Sequence, residues 1–308
     1  MLKTRPPIIT VLGHVDHGKT TLLDYIRQTK VQAGEVGGIT QHIGAYQITF
    51  KGKPITFIDT PGHAAFNKMR ERGAQITDLV ILVVSAKDGV QPQTIESIRY
   101  IKEAKVPCIV ALNKMDLDGA NPTLTKTQLA EYEIVVQEYG GDVDVVEISA
   151  LKGEGVDELL ENVLLMAELL ELQADDQAPL KAVVIESTKD QHKGPIARVI
   201  VQQGTLTVRQ QLQIDEIDGR VRSLINDQGQ QLKQVKPGQP AEVLGLNEVP
   251  EVGAILHDAN AEYTQEEVET DDEDEDDFSW DNIDVAAMLG DKEKLNLIVK
   301  ADVKGTLE

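Results

Sequence analysis

Cysteine, aromatic residues and long apolar runs are all scarce in this sequence. Cys108 is the single cysteine, which excludes an intrachain disulfide and favours a reducing compartment. Only 4% of the residues are aromatic, so aliphatic side chains must fill most of any core. The longest apolar run, residues 79–84, is far short of the roughly 18 residues that a membrane helix needs, and no apolar secretory signal opens the chain. We therefore expect a soluble, cytoplasmic protein without a membrane partner.

Positive charge is scarce as well, with 30 Lys and Arg residues against 52 Asp and Glu and a formal net charge of −22. Thirteen of the acidic residues lie between Glu262 and Asp284, a stretch that contains no Lys or Arg. Because such a run repels itself and buries little, it predicts a disordered acidic linker over residues 261–290. A calcium-binding or partner-mimicking role is the alternative, although EF-hand spacing is missing. No basic cluster indicates nucleic-acid binding by itself, and we expect no DNA partner.

The first part of the chain alternates strand-like and helix-like segments. The predicted strands are residues 8–12, 45–50, 54–58, 79–84, 108–112 and 143–148. The predicted helices are residues 19–28, 65–73, 94–104, 124–139 and 155–170. This alternation predicts an α/β domain over residues 1–172, with a mostly parallel, doubly wound sheet. The short connection at residues 51–53 predicts one antiparallel strand at the edge of the sheet.

A different rhythm begins near Pro179, after a polar, non-periodic boundary at residues 171–178. Short alternating runs separated by Gly and Pro are typical of a small antiparallel barrel or sandwich, and we expect such a domain over residues 179–260. Its predicted strands are residues 181–187, 196–201, 211–214, 220–224, 241–244 and 254–256. Residues 291–308 look like the opening of a further α/β domain, and we expect the chain to be truncated there.

A glycine-rich segment follows the first predicted strand and leads into the first predicted helix. Such a turn can wrap backbone N–H groups around phosphates at the positive end of the helix dipole. Lys19 is expected to reach the outer phosphates, and the Thr20 hydroxyl to bind Mg²⁺. The alternative is a glycine-rich turn that binds nothing. The candidate phosphate-binding residues are Gly13, His14, Val15, Asp16, His17, Gly18, Lys19, Thr20 and Thr21.

Asp59 ends a predicted strand and begins the sequence Asp-Thr-Pro-Gly. At the tip of a parallel sheet beside a phosphate loop, its carboxylate can hold the Mg²⁺ hydration shell. At Gly62 the backbone N–H can contact the terminal phosphate of the nucleotide. A loop that makes this contact responds when the phosphate is lost. The alternative is that Asp59 caps the following helix.

Two further motifs indicate which base is bound. Asn113, Lys114 and Asp116 follow a predicted strand, and the Asp116 carboxylate can accept hydrogen bonds from guanine N1–H and the exocyclic amine. Adenine offers no such pair of donors. Bound adenine would leave the Asp116 carboxylate unpaired, so the site should prefer guanine over adenine. The sequence Ser149, Ala150 and Leu151 follows the next strand, where a backbone N–H can meet guanine O6. Four motifs in this order predict a GTP/GDP site.

Turnover requires residues that act on the terminal phosphate. Flexible glycines precede Thr40, which predicts a loop that orders when Thr40 joins Mg²⁺ and that phosphate. His63 follows Gly62 and can orient the attacking water, although it can also be an ordinary surface residue. The predicted catalytic residues are Lys19, Thr40, Gly62 and His63, and the predicted metal ligands are Thr20, Thr40 and Asp59. Cys108 is expected in the core.

These motifs together resemble the initiation factor two family of translational GTPases. Many such GTPases share residues 13–20, 59–63 and 113–116, whereas the segments 34–46, 64–73 and 88–94 are narrower to this family. The resemblance implies a P-loop GTPase domain and a β-barrel second domain. It also implies ribosome-stimulated hydrolysis of GTP to GDP and phosphate, which promotes initiator-tRNA placement and subunit joining.

The same resemblance implies roles for matched residues. His63 would approach the attacking water when the ribosome organises the site, Val15 and Ile39 would form an apolar gate, and Asp16 would hold a monovalent cation. The implied partners are small-subunit RNA, the large-subunit GTPase centre and, only with a C-terminal domain beyond this chain, initiator tRNA. The alternatives are another translational GTPase, acting in elongation or specialised tRNA delivery, and a GTP-sensing binding module with little turnover.

Overall fold

The computed structural model describes residues 2–27, 44–59, 76–215 and 217–259. The predicted helix at residues 65–73, the acidic linker at 261–290 and the further domain at 291–308 lie outside these residues. So do three predicted catalytic residues, Thr40, Gly62 and His63.

The first half of the chain forms an α/β domain. Its strands are β1 (Leu2–Thr4), β2 (Ile8–Gly13), β3 (Gly44–Phe50), β4 (Lys53–Asp59), β5 (Leu79–Ser85), β6 (Cys108–Asn113), β7 (Asp144–Glu147) and β8 (Gln173–Asp175). Its helices are α1 (Lys19–Arg27), α2 (Pro92–Glu103), α3 (Pro122–Glu131) and α4 (Val156–Leu169), with a 3₁₀ turn at Gln137–Tyr139.

Six of these strands form one sheet in the order β3-β4-β2-β5-β6-β7. The pairs from β4 to β7 are parallel, and β3 is the antiparallel edge strand, joined to β4 by the tight turn at Lys51 and Gly52. Helices α1 and α4 pack on one face, while α2 and α3 pack on the other. Every residue of the central strand β5 is buried, as expected for a sheet covered on both sides. The predicted fold class is confirmed.

The predicted helix at residues 124–139 is wrong in length. Helix α3 ends at Glu131, and Glu133 then takes a left-handed conformation with φ of 62°. Val136 instead forms a parallel bridge with Val143, extending the sheet beyond β7. The predicted polar boundary at residues 171–178 also contains a strand, because β8 pairs with β1 at the amino terminus.

The second half forms an antiparallel barrel, as predicted. Its strands are β9 (Lys181–Asp190), β10 (Gly194–Gln203), β11 (Leu206–Thr207), β12 (Gln211–Ile214), β13 (Ile217–Ile225), β14 (Gln231–Leu232), β15 (Gln234–Val235), β16 (Pro240–Leu246) and β17 (Ile255–Asp258). Six strands close in the order β12-β17-β9-β10-β16-β13, since β12 also pairs with β13. The three shortest strands, β11, β14 and β15, have too little periodicity to be predicted from the sequence.

The two domains share a buried interface next to the parallel sheet. Ile8 and Ile58 of the α/β domain pack against Ile185 and Ile200 of the barrel. At the same interface the hydroxyl of Thr56 in β4 donates to the main-chain carbonyl of Gly238 at 2.5 Å. The barrel is therefore fixed to the strand that ends at Asp59. No helix in the described ranges has the length and apolarity needed to cross a membrane.

Candidate guanine-nucleotide site

The carboxyl ends of β2, β4, β5 and β6 meet at one edge of the sheet. Gly13 of β2 pairs with Val83, and Ser85 of β5 pairs with Asn113 at the end of β6. Asp59 ends β4 opposite Val11. The parallel register thus brings the phosphate motif, Asp59 and the base motif to one edge, the usual place for a ligand in an open α/β sheet.

The phosphate loop needs glycine at two positions. Gly13 has φ of 139°, and a Cβ there would lie 2.3 Å from the Val83 carbonyl oxygen. Gly18 has φ of 92°, and a Cβ there would lie 2.3 Å from the Asn113 side-chain nitrogen. At these two positions the loop can therefore pass close to its neighbours only without a side chain.

Lys19 lies inside this loop, at the start of α1. Its ammonium group donates to the carbonyls of Gly13 at 2.9 Å and His14 at 2.8 Å, and the side chain is 6% exposed. These contacts hold a positive charge at the centre of the loop. Thr20 and Thr21 follow on the first turn of the helix, where the dipole also favours an anion.

The two histidines of the loop pack edge to face, with ring centroids 5.0 Å apart. Burial, followed by the neighbouring His14 charge, lowers the pKa of His17 to about 3. Burial and then the Lys19 charge also lower the pKa of His14. Both rings therefore shape the loop as neutral groups at physiological pH. Val15 is held by its N–H, which donates to Gln93 at 2.8 Å, and Asp16 is exposed with a left-handed φ of 64°.

Asn113 joins the base motif to the phosphate loop. Its side-chain amide donates to the His17 carbonyl at 2.8 Å, and its oxygen accepts from the Ala150 N–H at 2.9 Å. Asn113 is 3% exposed, so both hydrogen bonds are shielded from water. One side chain thus fixes the relative positions of three of the predicted motifs.

The carboxylate of Asp116 is held by Ser149, from the motif at residues 149–151. Ser149 donates from its hydroxyl to Asp116 at 2.8 Å, and the same hydroxyl accepts from the Lys152 N–H at 3.2 Å. Asp116 itself is half-buried, so the remaining acceptor positions can face a ligand. In the same motif Leu151 is 76% exposed, so its side chain is not packed into the core. This geometry suits a base that offers two adjacent N–H donors.

Three residues that contact the site were not predicted as functional, namely Asp88, Gln93 and Tyr25. Lys114 pairs with Asp88 at 2.9 Å, and hydrogen bonding from Ser85 and then Lys114 lowers the pKa of Asp88. Gln93 holds the phosphate loop, as described above. Asp88 and Gln93 belong to the segment 88–94, which carries the family resemblance, so the sequence held a signal for them. Tyr25, whose ring lies against Gly153, carries no sequence signal.

The donor atoms at the phosphate end fit Mg²⁺. Thr20 offers a hydroxyl and the buried Asp59 offers a carboxylate, both hard oxygen ligands of the kind Mg²⁺ prefers. Such an ion commonly keeps water and substrate phosphate as its other ligands. Within the described ranges, no group of three or more His, Cys, Asp and Glu residues could hold a metal ion.

A phosphate loop at a strand–helix junction, joined by Asn113 to the predicted base motif, defines a P-loop GTP-binding domain. Comparison with known families agrees. The elongation factor Tu GTP-binding domain family matches residues 4–168, more than half of the 308 residues, and the chain belongs to that family. The elongation factor G domain 2 family matches residues 179–259, the barrel.

Individual similar proteins indicate a narrower family than these two domain families do. Translation initiation factor IF-2 of Halalkalibacterium halodurans is 50% identical over 317 residues, covering 100% of this chain and 43% of that protein. IF-2 of Enterococcus faecalis is 49% identical over 316 residues, covering 100% of this chain and 40% of that protein. The crystal structure of GDP-bound aIF5B from Aeropyrum pernix is 29% identical, with a TM-score of 0.66 over 84% of this chain and 55% of that chain.

These matches confirm the resemblance to the initiation factor two family. The chain spans less than half the length of the two curated relatives.

Proposed function

We propose that this chain binds and hydrolyses GTP as a translation initiation factor, promoting initiator-tRNA placement and subunit joining on the ribosome. The observation that carries the proposal is the pair of buried hydrogen bonds at the Asn113 side chain, which donates to the phosphate loop and accepts from Ala150, and so links the phosphate loop to the base motif. The 50% identity to proteins named translation initiation factor IF-2 supports initiation over another step of translation. The proposed organisation is a G domain at 1–172, a barrel at 179–260, a linker at 261–290 and a further domain from 291.

In this proposal GTP lies along the sheet edge with its base at Asp116 and its phosphates in the loop. Asp116 accepts from the guanine N1–H and amine, the Lys114 stem lies on the base, and the Leu151 backbone N–H, next to the Ala150 N–H that Asn113 already holds, meets O6. Lys19 and the backbone from Gly13 to Thr21 bind the phosphates. Discrimination against adenine follows, because adenine would leave the Asp116 carboxylate without donors.

Mg²⁺ would be held by Thr20 and Thr40, with Asp59 acting through water, and when bound it neutralises charge that develops on the phosphates. Lys19 adds a fixed positive charge that costs no reorganisation during the reaction. Asp16, exposed in the loop, is the proposed ligand of a monovalent cation.

His63 is the proposed positioning group for the attacking water, and the Gly62 N–H the proposed contact to the terminal phosphate. Since the transition state of phosphoryl transfer is loose, His63 would act by orienting water and by electrostatics more than by removing a proton. Val15 and Ile39 would keep His63 away from the water until the ribosome organises the site.

The proposed partners are small-subunit RNA, the GTPase centre of the large subunit and, where the whole protein carries the domain for it, initiator tRNA. The proposed location is the cytoplasm, together with the ribosome. Neither a membrane nor DNA is a proposed partner.

Phosphate release from GTP, measured with and without ribosomes, tests the proposal. We expect ribosomes to raise the rate at least about tenfold, because a trans-acting trigger commonly supplies several orders of magnitude in GTPases. An unchanged rate would favour a GTP-sensing module with little turnover. Retention of elongator rather than initiator tRNA by the intact gene product would favour another translational GTPase.

Substitution of His63 tests its role separately. His63→Ala should leave GTP affinity unchanged and lower the ribosome-stimulated rate by about 10²–10³-fold, the usual loss for one stabilising group. His192→Ala, on an exposed turn of the barrel, is the matched control and should change neither quantity. A parallel loss of affinity and rate in His63→Ala would refute the assigned role.

A further inference from the structure

Arg27, the last residue of α1, lies flat on an aromatic pair. Its guanidinium carbon is 3.4 Å from the centroid of the Tyr46 ring, and Tyr46 stacks on Phe57 with centroids 5.5 Å apart and an interplanar angle of 18°. Tyr46 is 1% exposed, and it faces Phe57 across the β3–β4 hairpin. A cation held over the face of an aromatic ring is attracted to it, so this contact binds the end of α1 to the hairpin.

Helix α1 and the β3–β4 hairpin, which this contact joins, carry the two proposed Mg²⁺ ligands that lie within the described residues. Thr20 lies in the first turn of α1, and Asp59 is the last residue of β4. Gly44 pairs with Asp59 across the hairpin. A Cβ on Gly44 would lie 3.6 Å from the Arg27 guanidinium and 3.9 Å from the Asp59 Cβ, so arginine and aspartate flank the same glycine.

Arg27 also faces the barrel across a cavity of about 470 Å³. Arg27 and Asp59 line one wall, and Arg198, Asp227 and Glu242 line the opposite wall. Arg198 is occupied by ion pairs with Glu186 and Glu242 within the barrel. The Nε–H of Arg27 is buried and donates to no partner in the described residues. The Tyr46 ring is therefore one of the contacts that hold the guanidinium in place.

A simpler interpretation is that Arg27 only stabilises the helix, because a basic residue in the last turn complements the helix dipole. A dipole contact, however, does not require a partly buried guanidinium that lies over an aromatic ring. An exposed arginine on α2 serves as the comparison, since Arg99 is 62% exposed and lies 5.1 Å from the Tyr100 centroid. Arg27 instead sits against the one hairpin that ends in a proposed metal ligand.

We propose that Arg27 is a positioning residue for the Mg²⁺ end of the nucleotide site. By clamping the last turn of α1 onto Tyr46, it fixes the distance between the helix that carries Thr20 and the hairpin that carries Asp59. This inference rests on the proposed function, because it concerns the metal of that same site. It adds a residue outside all four nucleotide-binding motifs to the machinery that holds the ion.

Binding of a fluorescent GDP derivative, mant-GDP, to the full 308-residue chain tests this inference, with Mg²⁺ titrated from an EDTA-treated start. For Arg27→Met we expect unchanged affinity in EDTA, where only the loop and base motifs act. The Mg²⁺ concentration that gives half of the affinity gain should rise about tenfold or more, the usual cost of removing an outer-shell support. Arg27→Lys should recover part of the shift, because an ammonium can still lie over Tyr46. Arg99→Met, the matched control, should behave as the wild type.

An unchanged Mg²⁺ midpoint in Arg27→Met would overturn the inference. Equal loss of affinity with and without Mg²⁺ would also overturn it, since that result assigns Arg27 to general packing of α1. If Arg27→Met does not fold, the same comparison is made with Arg27→Lys, for which a wild-type midpoint overturns the inference. Failure of the wild type to bind mant-GDP would instead contradict the proposed function itself.

Discussion

Asn113 donates its side-chain amide to the main-chain carbonyl of His17 at 2.8 Å, across 96 residues of sequence. The contact makes the phosphate loop and the base motif one rigid unit. The base motif therefore helps to fix the shape of the phosphate loop before a nucleotide binds. Such pre-organisation lowers the cost of binding, because less of the site must be ordered by the ligand.

Asn113→Ala should weaken both the fold and the site. It leaves the His17 carbonyl and the Ala150 N–H without their buried partner, at about 1–3 kcal/mol each. Urea unfolding and mant-GDP titration measure the two effects. Asn121→Ala is the control, because Asn121 caps α3 by accepting from the Leu124 N–H. It should cost about 1 kcal/mol of stability and leave GDP affinity unchanged. Unchanged GDP affinity in Asn113→Ala would contradict the coupling.

Asp116→Asn should change which base is bound. The substitution replaces an acceptor pair with an amide that can donate to the 2-oxo group of xanthine. GDP affinity should fall at least about 100-fold, since two hydrogen bonds to a charged group are lost at about 1.5–3 kcal/mol each. Competition between GDP and xanthosine diphosphate measures the change. Asp118→Asn, exposed two residues further on, should retain the preference for guanine. An unchanged preference in Asp116→Asn would rule out this residue as the base reader.

Gly153→Ala should destabilise the loop that follows Ser149 through two separable effects. Gly153 has φ of 78°, and a Cβ there would lie 2.2 Å from the Tyr25 ring. Gly119 has φ of 87° with nothing within 4 Å of a Cβ, so Gly119→Ala isolates the backbone cost of about 1–2 kcal/mol. In urea unfolding, Gly153→Ala should cost more than Gly119→Ala, and adding Tyr25→Ala should remove the excess. Equal costs for the two glycines would show that Tyr25 exerts no steric restriction.

Stability should fall as the pH drops below about 6.5, in part because of His17. Burial lowers its folded-state pKa from 6.5 to about 3, so within this range the unfolded chain binds a proton that the folded chain does not. The contribution approaches about 1.4 kcal/mol per pH unit. Urea unfolding between pH 6.5 and 5 should show a shallower pH slope for His17→Gln than for the wild type. His192→Gln serves as the control and should keep the wild-type slope. Identical slopes for the wild type and His17→Gln would contradict a buried, neutral ring.

Much of the fold was predictable because its signals are local. Buried β-branched runs such as residues 79–84 define the strands, and glycines such as Gly13 mark turns where the backbone must pass close to another strand. The order of the motifs then fixes the site, since parallel strands end at the same edge. These features need only a few adjacent residues to be recognised.

What escaped prediction depends on contacts between distant segments. The end of α3 was missed because the left-handed turn at Glu133 carries no Gly or Pro to mark it. The strands β1 and β8 are three residues each and acquire their pairing only from one another. The contact of Arg27 with Tyr46 likewise follows from how α1 packs on the hairpin, which no pattern within either segment records.

The hydroxyl of Thr56 donates to the Gly238 carbonyl and accepts from the Gln47 side chain at 3.1 Å, beside the isoleucine interface. Because this buried interface joins the two domains, melting of one domain should expose the interface and destabilise the other. A thermogram of the ligand-free chain should accordingly contain a single endotherm spanning both halves. Saturation with GDP should carry the barrel to a higher melting temperature along with the domain that binds it.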